Sequence, residues 1–394
     1  MKTIALLYER ELDYGGVESH ILTLLRRADA RSFKFVILAP VSEQFRSKAQ
    51  MLGAKVIPLL HWSAFQPFFI YKLAKILRLE AVDLAHIHSS IAAIPGRLAA
   101  LILGLPVIVT VHLPVWLYHG NRQTLKPRLG RRVYISLDKL LNHRATSRLV
   151  FVSERFRDQS VAARISPAEA SVVIPNGIDL DRFRRGVNRD ELRSSYNLSP
   201  DTKIVTFIGR LDEEKGLDLL LEAAARLQLV LNGFEVWLVG DGPLKTQLET
   251  QSHRLGLEDR VKFWGYQEQI ERFLFASDVL ALPSHYEAMP VVLLEALAAG
   301  TPSVVTQVGD NDLVIENGEQ GLVIPPNNVN ALVSALHLIL TSAAMQRQMS
   351  EAAVLRSKDY DDIHMVRQYE ALYTELLIKT RRSTEGYNNA IPPE

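Results

Sequence analysis

The sequence predicts an α/β protein built from two doubly wound domains of the Rossmann-like type. Short apolar runs rich in β-branched residues alternate with longer amphipathic segments along almost the whole chain. Apolar strands that alternate with helices form parallel sheets covered by helices on both faces. The pattern occurs in two halves of about equal length, and a chain of 394 residues is long enough for two domains with a core each.

The individual elements follow from these runs in chain order. Strands of the first half are predicted at TIALLY, FKFVILA, AKVIPL, DLAHIH, PVIVTV, RLVFV and SVVIP. Helical periodicity fits most of the segments between them, such as 17–27 and 91–103. Strands of the second half are predicted at KIVTFIG, FEVWLVG, VKFWG, DVLALP, PSVVT and GLVIP.

A polar, turn-rich segment predicts the boundary between the two domains. We expect an N-terminal Rossmann-like domain over 1–178, a linker over 179–195 and a C-terminal Rossmann-like domain over 196–360. A helix over 361–380 has no strand after it and could cross back to the N-terminal domain. The polar segment 381–394 is predicted to be a flexible tail.

Composition excludes several classes of function. A net charge of +1 argues against a dedicated nucleic-acid binder. The absence of cysteine excludes disulfides, thiolate catalysis and cysteine-bound metals. The uncharged stretch Leu98–Leu117 is interrupted by Gly104 and Pro106, and the first apolar run is too short for a signal peptide. We therefore expect a cytoplasmic protein.

The segment FIGRLDEEKG supplies two fixed cations where a predicted strand ends. Ligands of open parallel sheets bind outside the carboxyl ends of the strands. Arg210 and Lys215 would suit a diphosphate there, because Arg binds phosphate oxygens in a bidentate way and Lys acts as a point charge. The alternative is a pair of surface cations that balance the acids at 212–214.

The segment YGGVESH follows the first predicted strand. Gly15 and Gly16 would free backbone amides to approach an anion at a helix N-terminus. A plain tight turn explains the same two glycines. The spacing does not match a dinucleotide fingerprint, which argues against a Rossmann dehydrogenase.

The segment HYEAMPVVLLEALAAGTP contains two glutamates with seven residues between them. Pro290 is placed to begin a helix and Gly300 to end it. Glu287 then lies in the loop before the helix, and Glu295 lies on its second turn among apolar residues. A carboxylate accepts hydrogen bonds from the vicinal hydroxyls of a sugar, whereas the alternative is a pair of acids on a solvated helix face.

The order of the motifs resembles one large enzyme family over nearly the whole chain. These segments are YGGVE, TVH, VIPNGID, FIGRLDEEKG, LVGDGP, FWGY, LPSHYEAMPVVLLEALAAGTPSV and GLVIPP. The series is similar to that of the retaining, nucleotide-sugar-dependent glycosyltransferases with the GT-B architecture and a Glu-x7-Glu signature (family four). The resemblance implies a C-terminal donor domain, an N-terminal acceptor-side domain and a cleft between them.

The resemblance also implies roles for particular residues. Arg210 and Lys215 would neutralise the leaving diphosphate, Glu295 would hold the ribose, and Glu287 would contact the transferred sugar. His112 would reach the donor sugar from the N-terminal domain, although a polar residue that only closes a strand explains it equally. The remaining donor-binding residues lie in turns at strand ends: Gly15, Gly16, Gly209, Gly265, Ala288, Met289 and Pro290.

Two departures from the family pattern concern the donor site. Ala288 stands where many relatives have Gly, and VGDNDLV (308–314) differs from the usual Gly-Gly-x-x-Glu run. Asp-x-Asp triplets occur at 179–181, 310–312 and 359–361, close to chance for so short a pattern. No metal and no cofactor are expected.

The resemblance implies transfer of a sugar, with retention of configuration, from a UDP- or GDP-sugar. The acceptor would be a sugar, a lipid-linked species or another glycoconjugate, as in glycolipid, polysaccharide or cell-envelope biosynthesis. One alternative is a nucleotide-sugar epimerase of the same architecture, which would release an isomerised sugar without an acceptor. Another is a catalytically silent binding protein that keeps the fold.

Two basic segments bear on the acceptor side. Segment 61–78 combines aromatic residues with Lys and Arg, and segment 122–148 has eight basic residues against one acid, Asp138. Such segments can bind an anionic membrane surface, which would make the protein peripheral on the inner face of the plasma membrane. The alternative is a solvated basic face with aromatic residues packed beneath a helix.

Overall fold

The computed structural model describes residues 1–10, 15–59, 66–88, 92–113, 128–183 and 187–388. The chain divides into two compact units. The N-terminal unit comprises Met1–Asn176 and Asp362–Glu394, and the C-terminal unit comprises Gly177–Asp361.

The N-terminal unit contains a seven-stranded parallel sheet with the strand order β3-β2-β1-β4-β5-β6-β7. The strands are β1 (Lys2–Leu7), β2 (Phe33–Ala39), β3 (Lys55–Pro58), β4 (Leu84–Ile87), β5 (Val107–Val111), β6 (Arg148–Phe151) and β7 (Ser171–Val173). Leu6 of β1 is in register with Ile37 on one side and His86 on the other. The central strands are buried on both faces, so their sequences are continuously apolar.

The described residues of this unit form seven helices. They are α1 (Gly16–Arg27), α2 (Glu43–Met51), α3 (Pro67–Leu79), α4 (Ala93–Ile102), α5 (Arg128–Arg144), α6 (Glu154–Ala162) and α15 (Asp362–Asn388). The last of them, α15, contributes Tyr369 and Tyr373, both fully buried, to the core formed with β1 and β2. An ion pair of 3.0 Å between Arg27 and the buried Asp362 fixes the beginning of α15 to α1.

The C-terminal unit contains a six-stranded parallel sheet with the order β10-β9-β8-β11-β12-β13. The strands are β8 (Lys203–Ile208), β9 (Phe234–Val239), β10 (Val261–Gly265), β11 (Val279–Leu282), β12 (Ser303–Thr306) and β13 (Gly321–Ile324). The helices are α7 (Arg189–Ser195), α8 (Leu217–Leu227), α9 (Lys245–Arg254), α10 (Ile270–Ala276), α11 (Val291–Ala299), α12 (Asn311–Val314), α13 (Val329–Thr341) and α14 (Ala343–Ser357).

Each sheet has a point at which the strand order reverses. In the C-terminal unit this switch point lies between β8 and β11, and in the N-terminal unit it lies between β1 and β4. The chain leaves the two strands in opposite directions there, which opens a crevice at their carboxyl ends. The residues that follow β8 and β11 are therefore the first candidates for ligand binding in the C-terminal unit.

All thirteen strands predicted from the sequence are present, and the fold class is confirmed. The segment 179–195, predicted as a linker, instead folds with the C-terminal unit. It contains a 3-10 turn, Leu180–Arg182, and the helix α7. Arg193 on α7 is buried and donates to the carbonyl oxygen of Ala276 at 2.7 Å, so this polar side chain packs against α10, whereas residues 187–191 of the same segment are exposed.

The carboxyl end of the chain also differs from the prediction. The last helix continues to Asn388, eight residues beyond the predicted end at 380, into the segment predicted as a flexible tail. Residues 389–394 of that tail lie outside the described part of the chain.

Within the described ranges, no single helix combines the length and apolar composition of a membrane span. The adjoining stretches Val329–Thr341 and Ala343–Tyr360 pass that test only as a pair bent by 97°.

Candidate active site

A tight turn after β8 positions Lys215 at the switch point of the C-terminal unit. Asp212 begins the 3-10 turn Glu213–Lys215 and accepts a hydrogen bond from the Glu214 amide at 3.2 Å. Gly216 follows with φ +62, and a Cβ there would lie 2.3 Å from the carbonyl oxygen of Pro283. Only glycine permits so close an approach in this backbone conformation. The loops after β8 and β11 are thereby locked together.

Glu287 and Lys215 form an ion pair across these two loops. Lys215 Nζ donates to Glu287 Oε1 at 2.7 Å, and the buried hydroxyl of Ser284 donates to the same oxygen at 2.8 Å. Among the described residues none donates to Glu287 Oε2. One carboxylate oxygen thus fixes the side chain, and the other is available to a ligand hydroxyl.

The charge state of Lys215 follows from this pairing. Burial by itself would lower the pKa of the Lys215 ammonium, but the charge of Glu287 and the hydrogen bond to it act more strongly. The pKa is therefore raised, and Lys215 carries a full positive charge at neutral pH. A charged ammonium at the carboxyl ends of two strands is the arrangement that binds a phosphate.

The second predicted cation, Arg210, lies in the same loop with a largely exposed side chain. Arg210 is 64% exposed, and its Nε contacts Asp212 loosely at 3.7 Å. Its neighbour Gly209 directly follows β8 and donates its amide to the Val239 carbonyl at 2.9 Å. Burial raises the pKa of the Asp212 carboxyl, and the charges of Lys215 and Arg210 offset this only in part. Arg210 can therefore turn toward an anion without breaking a strong contact.

The helix that carries Glu295 begins and ends as its sequence predicts, within one residue. Pro290 was predicted to be the first residue of this helix but is its N-cap, so α11 begins one residue later, at Val291. Gly300 ends the helix in the left-handed conformation, with φ +68. Glu295 lies on the second turn with a side chain that is 13% exposed. It is therefore a nearly buried carboxylate and not an acid on a solvated face.

Sequence reasoning missed the partner of Glu295. Arg182, in the segment predicted as a linker, places Nη1 at 3.4 Å from Glu295 Oε1. The same guanidinium is bound more tightly by Glu271 of α10. Burial raises the pKa of Glu295 to about 7, the Arg182 charge acts against this, and the Glu271 charge adds to it.

The loop before α11 is held from below by the turn that follows β12. A Cβ on Gly309 (φ +53) would lie 2.1 Å from the Glu287 carbonyl oxygen and 2.5 Å from that of Ala288. The Asp310 amide donates to the Ala288 carbonyl at 2.8 Å. Ala288 and Met289 are both buried. The segment VGDNDLV, which differs from the family pattern, therefore packs against this loop and supports it.

Gly265 lies at the edge of the same sheet, where it ends β10 with φ +63. Its carbonyl oxygen accepts a hydrogen bond from the amide of Gly240 at 2.7 Å, so it borders the turn that follows β9. The structure thus places Gly265 at the carboxyl ends of the strands, beyond β9 from the switch point.

In the N-terminal unit, the predicted residues lie at the carboxyl ends of β1 and β5. Gly15 is the N-cap of α1, Gly16 is its first residue, and both are exposed. His112 follows β5, and its Nε2 lies 3.3 Å from Nδ1 of His88, which follows β4. The tautomers decide which of the two histidines donates.

Sequence reasoning did not predict that His112 belongs to a cluster of histidines. The ring of His20, on α1, lies 5.1 Å from that of His112, and His86 and His88 lie 4.0 Å apart. Burial, and then the neighbouring histidines, lower the pKa of His112 well below its usual value, so its imidazole is neutral. The three other histidines stand in YGGVESH and DLAHIH, next to predicted strands, which is the signal that could have revealed the cluster.

Among the described residues, no group of three His, Asp or Glu side chains is arranged to hold a metal ion. Of the predicted donor residues of the C-terminal unit, those in the loops after β8 and β11 lie at the switch point, whereas Gly265 ends the edge strand β10. Lys215 and Glu287 are in contact, and Glu295 is fixed by Arg182.

Two family models match the chain, one for each half. Residues 14–182 match the model described as Glycosyltransferase Family 4, and residues 188–356 match the one described as Glycosyl transferases group 1.

Curated proteins similar to the chain are sugar transferases. The UDP-Gal:alpha-D-GlcNAc-diphosphoundecaprenol alpha-1,3-galactosyltransferase of Escherichia coli is 28% identical over 316 residues, which cover 78% of this chain and 79% of that protein. The alpha-D-kanosaminyltransferase of Streptomyces kanamyceticus is 29% identical, over 80% of this chain and 83% of that protein.

Solved structures share the fold. A glycosyltransferase from Rickettsia africae superimposes with a TM-score of 0.79 at 19% identity, covering 95% of this chain and 98% of that one. The Anabaena protein HepE, in complex with UDP-glucose, superimposes with a TM-score of 0.81 at 21% identity, covering 95% of this chain and all of the other.

Proposed function

The chain belongs to glycosyltransferase family 4, with the GT-B fold, and from this premise we propose that the switch point of its C-terminal unit binds the nucleotide-sugar donor. The chain is a glycosyltransferase that uses a nucleotide sugar. The two relatives described above are transferases, and nothing in these comparisons supports an epimerase.

The main support for a donor site here is the ion pair between Lys215 and Glu287, which joins the closely packed loops after β8 and β11. A diphosphate brings negative charge to the place where Lys215 is charged and Arg210 is exposed. As the sugar leaves, charge grows on the diphosphate, and two fixed cations stabilise it without a metal. Glu287 Oε2 is then available to a hydroxyl of the transferred sugar, and His112 would contact that sugar as a neutral hydrogen-bonding group.

Retention of configuration follows in this proposal from a reaction on one face of the sugar. The leaving phosphate accepts the proton of the acceptor hydroxyl, so no separate catalytic acid or base is assigned. Gly15 and Gly16 would direct amides of α1 toward the diphosphate.

The nucleoside is proposed to lie against α11 with its ribose on Glu295. Uridine is the nucleoside to test first, because the E. coli relative is named for a UDP-galactose donor and HepE was crystallised with UDP-glucose. Gly265 would border the base. A GDP-sugar is the alternative donor.

Calorimetric titration of UDP, and of GDP where UDP does not bind, tests the donor site. Lys215→Ala should weaken binding about 100-fold or more, because it leaves Glu287 buried without its partner and removes the phosphate contact. Glu295→Ala should weaken it about tenfold or more, through loss of the ribose hydrogen bonds. Lys262→Ala is the matched control, since it removes a Lys–Glu pair of 2.8 Å at the opposite end of the strands. Unchanged affinity in the folded Lys215 and Glu295 variants would refute the proposed site.

The acceptor is proposed to be lipid-linked and to belong to cell-envelope glycan synthesis. The E. coli relative is named for a diphosphoundecaprenol acceptor. Such an acceptor sits in a membrane, so the enzyme would work as a peripheral protein on the cytoplasmic face.

The helix α3 supplies a surface that fits this role. Phe68, Tyr71, Lys72 and Lys75 follow a spacing of three and four residues and are all exposed, with Phe68 at 79%. Leu73 and Leu77, on the opposite face, are buried. On α5, Arg132 and Lys139 are exposed as well, whereas residues 61–65 and 122–127 of the two basic segments lie outside the described part of the chain.

Flotation with anionic vesicles tests the membrane surface. The wild type should float with phosphatidylglycerol vesicles at low salt and much less at high salt, because basic side chains near an anionic surface each contribute about 1 kcal/mol. The double variant Lys72→Glu, Lys75→Glu should lose most of that binding. The control Arg254→Glu, Lys358→Glu changes the same charge at exposed positions of the C-terminal unit. A wild type that stays with the soluble fraction at low salt would exclude the membrane role.

A further inference from the structure

Arg182 is shared unequally between two carboxylates of the C-terminal unit. Its Nε donates to Glu271 Oε2 at 3.0 Å, its Nη2 contacts the same oxygen, and Nη2 also donates to the Glu268 carbonyl at 3.1 Å. Glu295 receives one contact from Nη1, at 3.4 Å. The guanidinium is therefore held by Glu271 of α10 and by the Glu268 carbonyl just before that helix, and it reaches Glu295 through its remaining nitrogen, Nη1.

Because of this unequal sharing, the positive charge near Glu295 does not offset the effect of burial on its carboxylate. A buried carboxylate needs a partner to stay ionised, and the closest cation is already paired with another acid. Burial first, and the charge of Glu271 second, bring the pKa of Glu295 to about 7 in spite of Arg182. In the free protein, burial therefore disfavours the ionised form of Glu295.

We propose that Arg182, shared between Glu271 and Glu295, is a positioning residue of the nucleotide site and makes nucleotide affinity rise with pH. The inference rests on the proposed function, in which Glu295 holds the ribose. An ionised carboxylate accepts hydrogen bonds from both ribose hydroxyls, whereas the protonated acid carries a donor on one oxygen. Binding therefore selects the ionised form and releases a proton from the protonated one.

The charged groups that act on Glu295 come from two directions. Arg182 reaches it from the turn Leu180–Arg182, and Glu271 from α10. Asp179 acts indirectly, since its charge helps to raise the pKa of Arg182. The helix α14, which also packs on α11, meets the far end of α11 at Gly300 through Ser350.

The two neighbours predict opposite shifts, which separates this role from a merely structural one. Arg182→Met leaves two like charges without their cation, so Glu295 should ionise at higher pH. Glu271→Gln removes a like charge and frees Arg182 to pair with Glu295, so Glu295 should ionise at lower pH. If Arg182 only held the fold together, both variants would weaken binding at every pH by a similar factor.

Calorimetric titration of UDP as a function of pH is the test, with GDP and ADP as the next probes if UDP does not bind. With a pKa of about 7, the wild-type affinity should rise about tenfold between about pH 6 and about pH 8. The Glu271→Gln curve should lie at lower pH and the Arg182→Met curve at higher pH. 2′,3′-Dideoxyuridine diphosphate shares the phosphate ionisation of UDP but lacks both hydroxyls, and its affinity should lose the Glu295 part of this rise.

Arg189→Met is the matched control, because it removes another Arg–carboxylate pair of the same segment, 2.9 Å from Asp278. The Arg189→Met variant should show the same dependence of UDP affinity on pH as the wild type. If Arg182→Met does not fold, Glu271→Gln alone serves as the test. Wild-type binding that depends on Glu295 but keeps one pH curve in both variants would overturn this inference and leave the donor site standing. If none of the three diphosphates binds, or if Glu295→Ala binds like the wild type, the donor site itself fails.

Discussion

In the proposed donor site, the single side chain of Glu295 would lower the stability of the protein in favour of binding. Its carboxylate is nearly buried, and its pKa is raised to about 7 because the fold disfavours the charged form. The ionised carboxylate that would hold a ribose is therefore the form that destabilises the empty protein. Residues that lower the stability of the folded protein in this way are common at ligand sites.

Glu295→Gln should therefore stabilise the protein at high pH. The raised pKa means that the contribution of Glu295 to stability is fully present below about pH 4.5 and is lost as the pH rises through about 7. The amide carries no charge, so the variant should gain up to about 3 kcal/mol at about pH 8 and almost nothing at about pH 4.5. Urea unfolding at the two pH values measures this, with the exposed Glu351→Gln as control. An equal gain at both pH values would contradict the burial of the charge.

Single residues also mark the limit of prediction from sequence. Lys215 and Glu287 were predicted from their position after strands, and the structure brings them into contact. Arg182 was missed because its partners lie 89 and 113 positions away, and only the order of the strands brings them together. Without knowledge of those partners, the polar sequence around Arg182 predicts a linker.

At the scale of elements, the proposed donor site depends on glycine contacts between loops as well as on the helices that follow those loops. Gly216 lets the loop after β8 touch the loop after β11, and Gly309 lets the turn after β12 touch Glu287 and Ala288. The helix ends of α11 were predictable from Pro290 and Gly300 because the signals are local. The loop contacts were not, since each joins residues far apart in the chain.

Gly309→Ala should disrupt the loop that carries Glu287. Its Cβ would overlap two backbone oxygens, at 2.1 and 2.5 Å, so the loop must move. The donor affinity should fall at least tenfold, as expected for the displacement of a buried charged contact. Gly318→Ala is the control, because Gly318 has φ +94 but nothing within 4 Å of a Cβ. That variant has the backbone strain, of about 1 kcal/mol, without the overlap. Equal donor affinity in the two variants would show that the contact has no role.

At the scale of the whole molecule, the last helix completes the N-terminal unit although it follows the C-terminal unit in sequence. Tyr373 donates to or accepts from His86 at 2.7 Å, and Tyr369 lies 3.1 Å from the hydroxyl of Thr110. The sequence predicted a helix with no strand after it, which left its partner open. Periodicity identifies an apolar face but does not say which unit covers it.

A chain that ends at Asp361 should therefore lose the N-terminal unit and keep the C-terminal one. Removal of α15 uncovers the core around β1, and the loss of a buried aromatic side chain alone costs about 3–5 kcal/mol. Removal of residues 389–394 is the control and should change nothing. Thermal unfolding followed by circular dichroism should show one remaining cooperative transition for the shorter chain. Unaltered unfolding after loss of α15 would refute its place in the core.

We propose that the switch point of the C-terminal unit binds the donor, and a crystal structure with a bound nucleotide sugar would show whether it does. We expect the diphosphate to contact Lys215 and Arg210, the ribose hydroxyls to lie within hydrogen-bond distance of Glu295, and a sugar hydroxyl to contact Glu287. A nucleotide bound elsewhere, with the Lys215–Glu287 pair untouched and Glu295 free of the ribose, would contradict it.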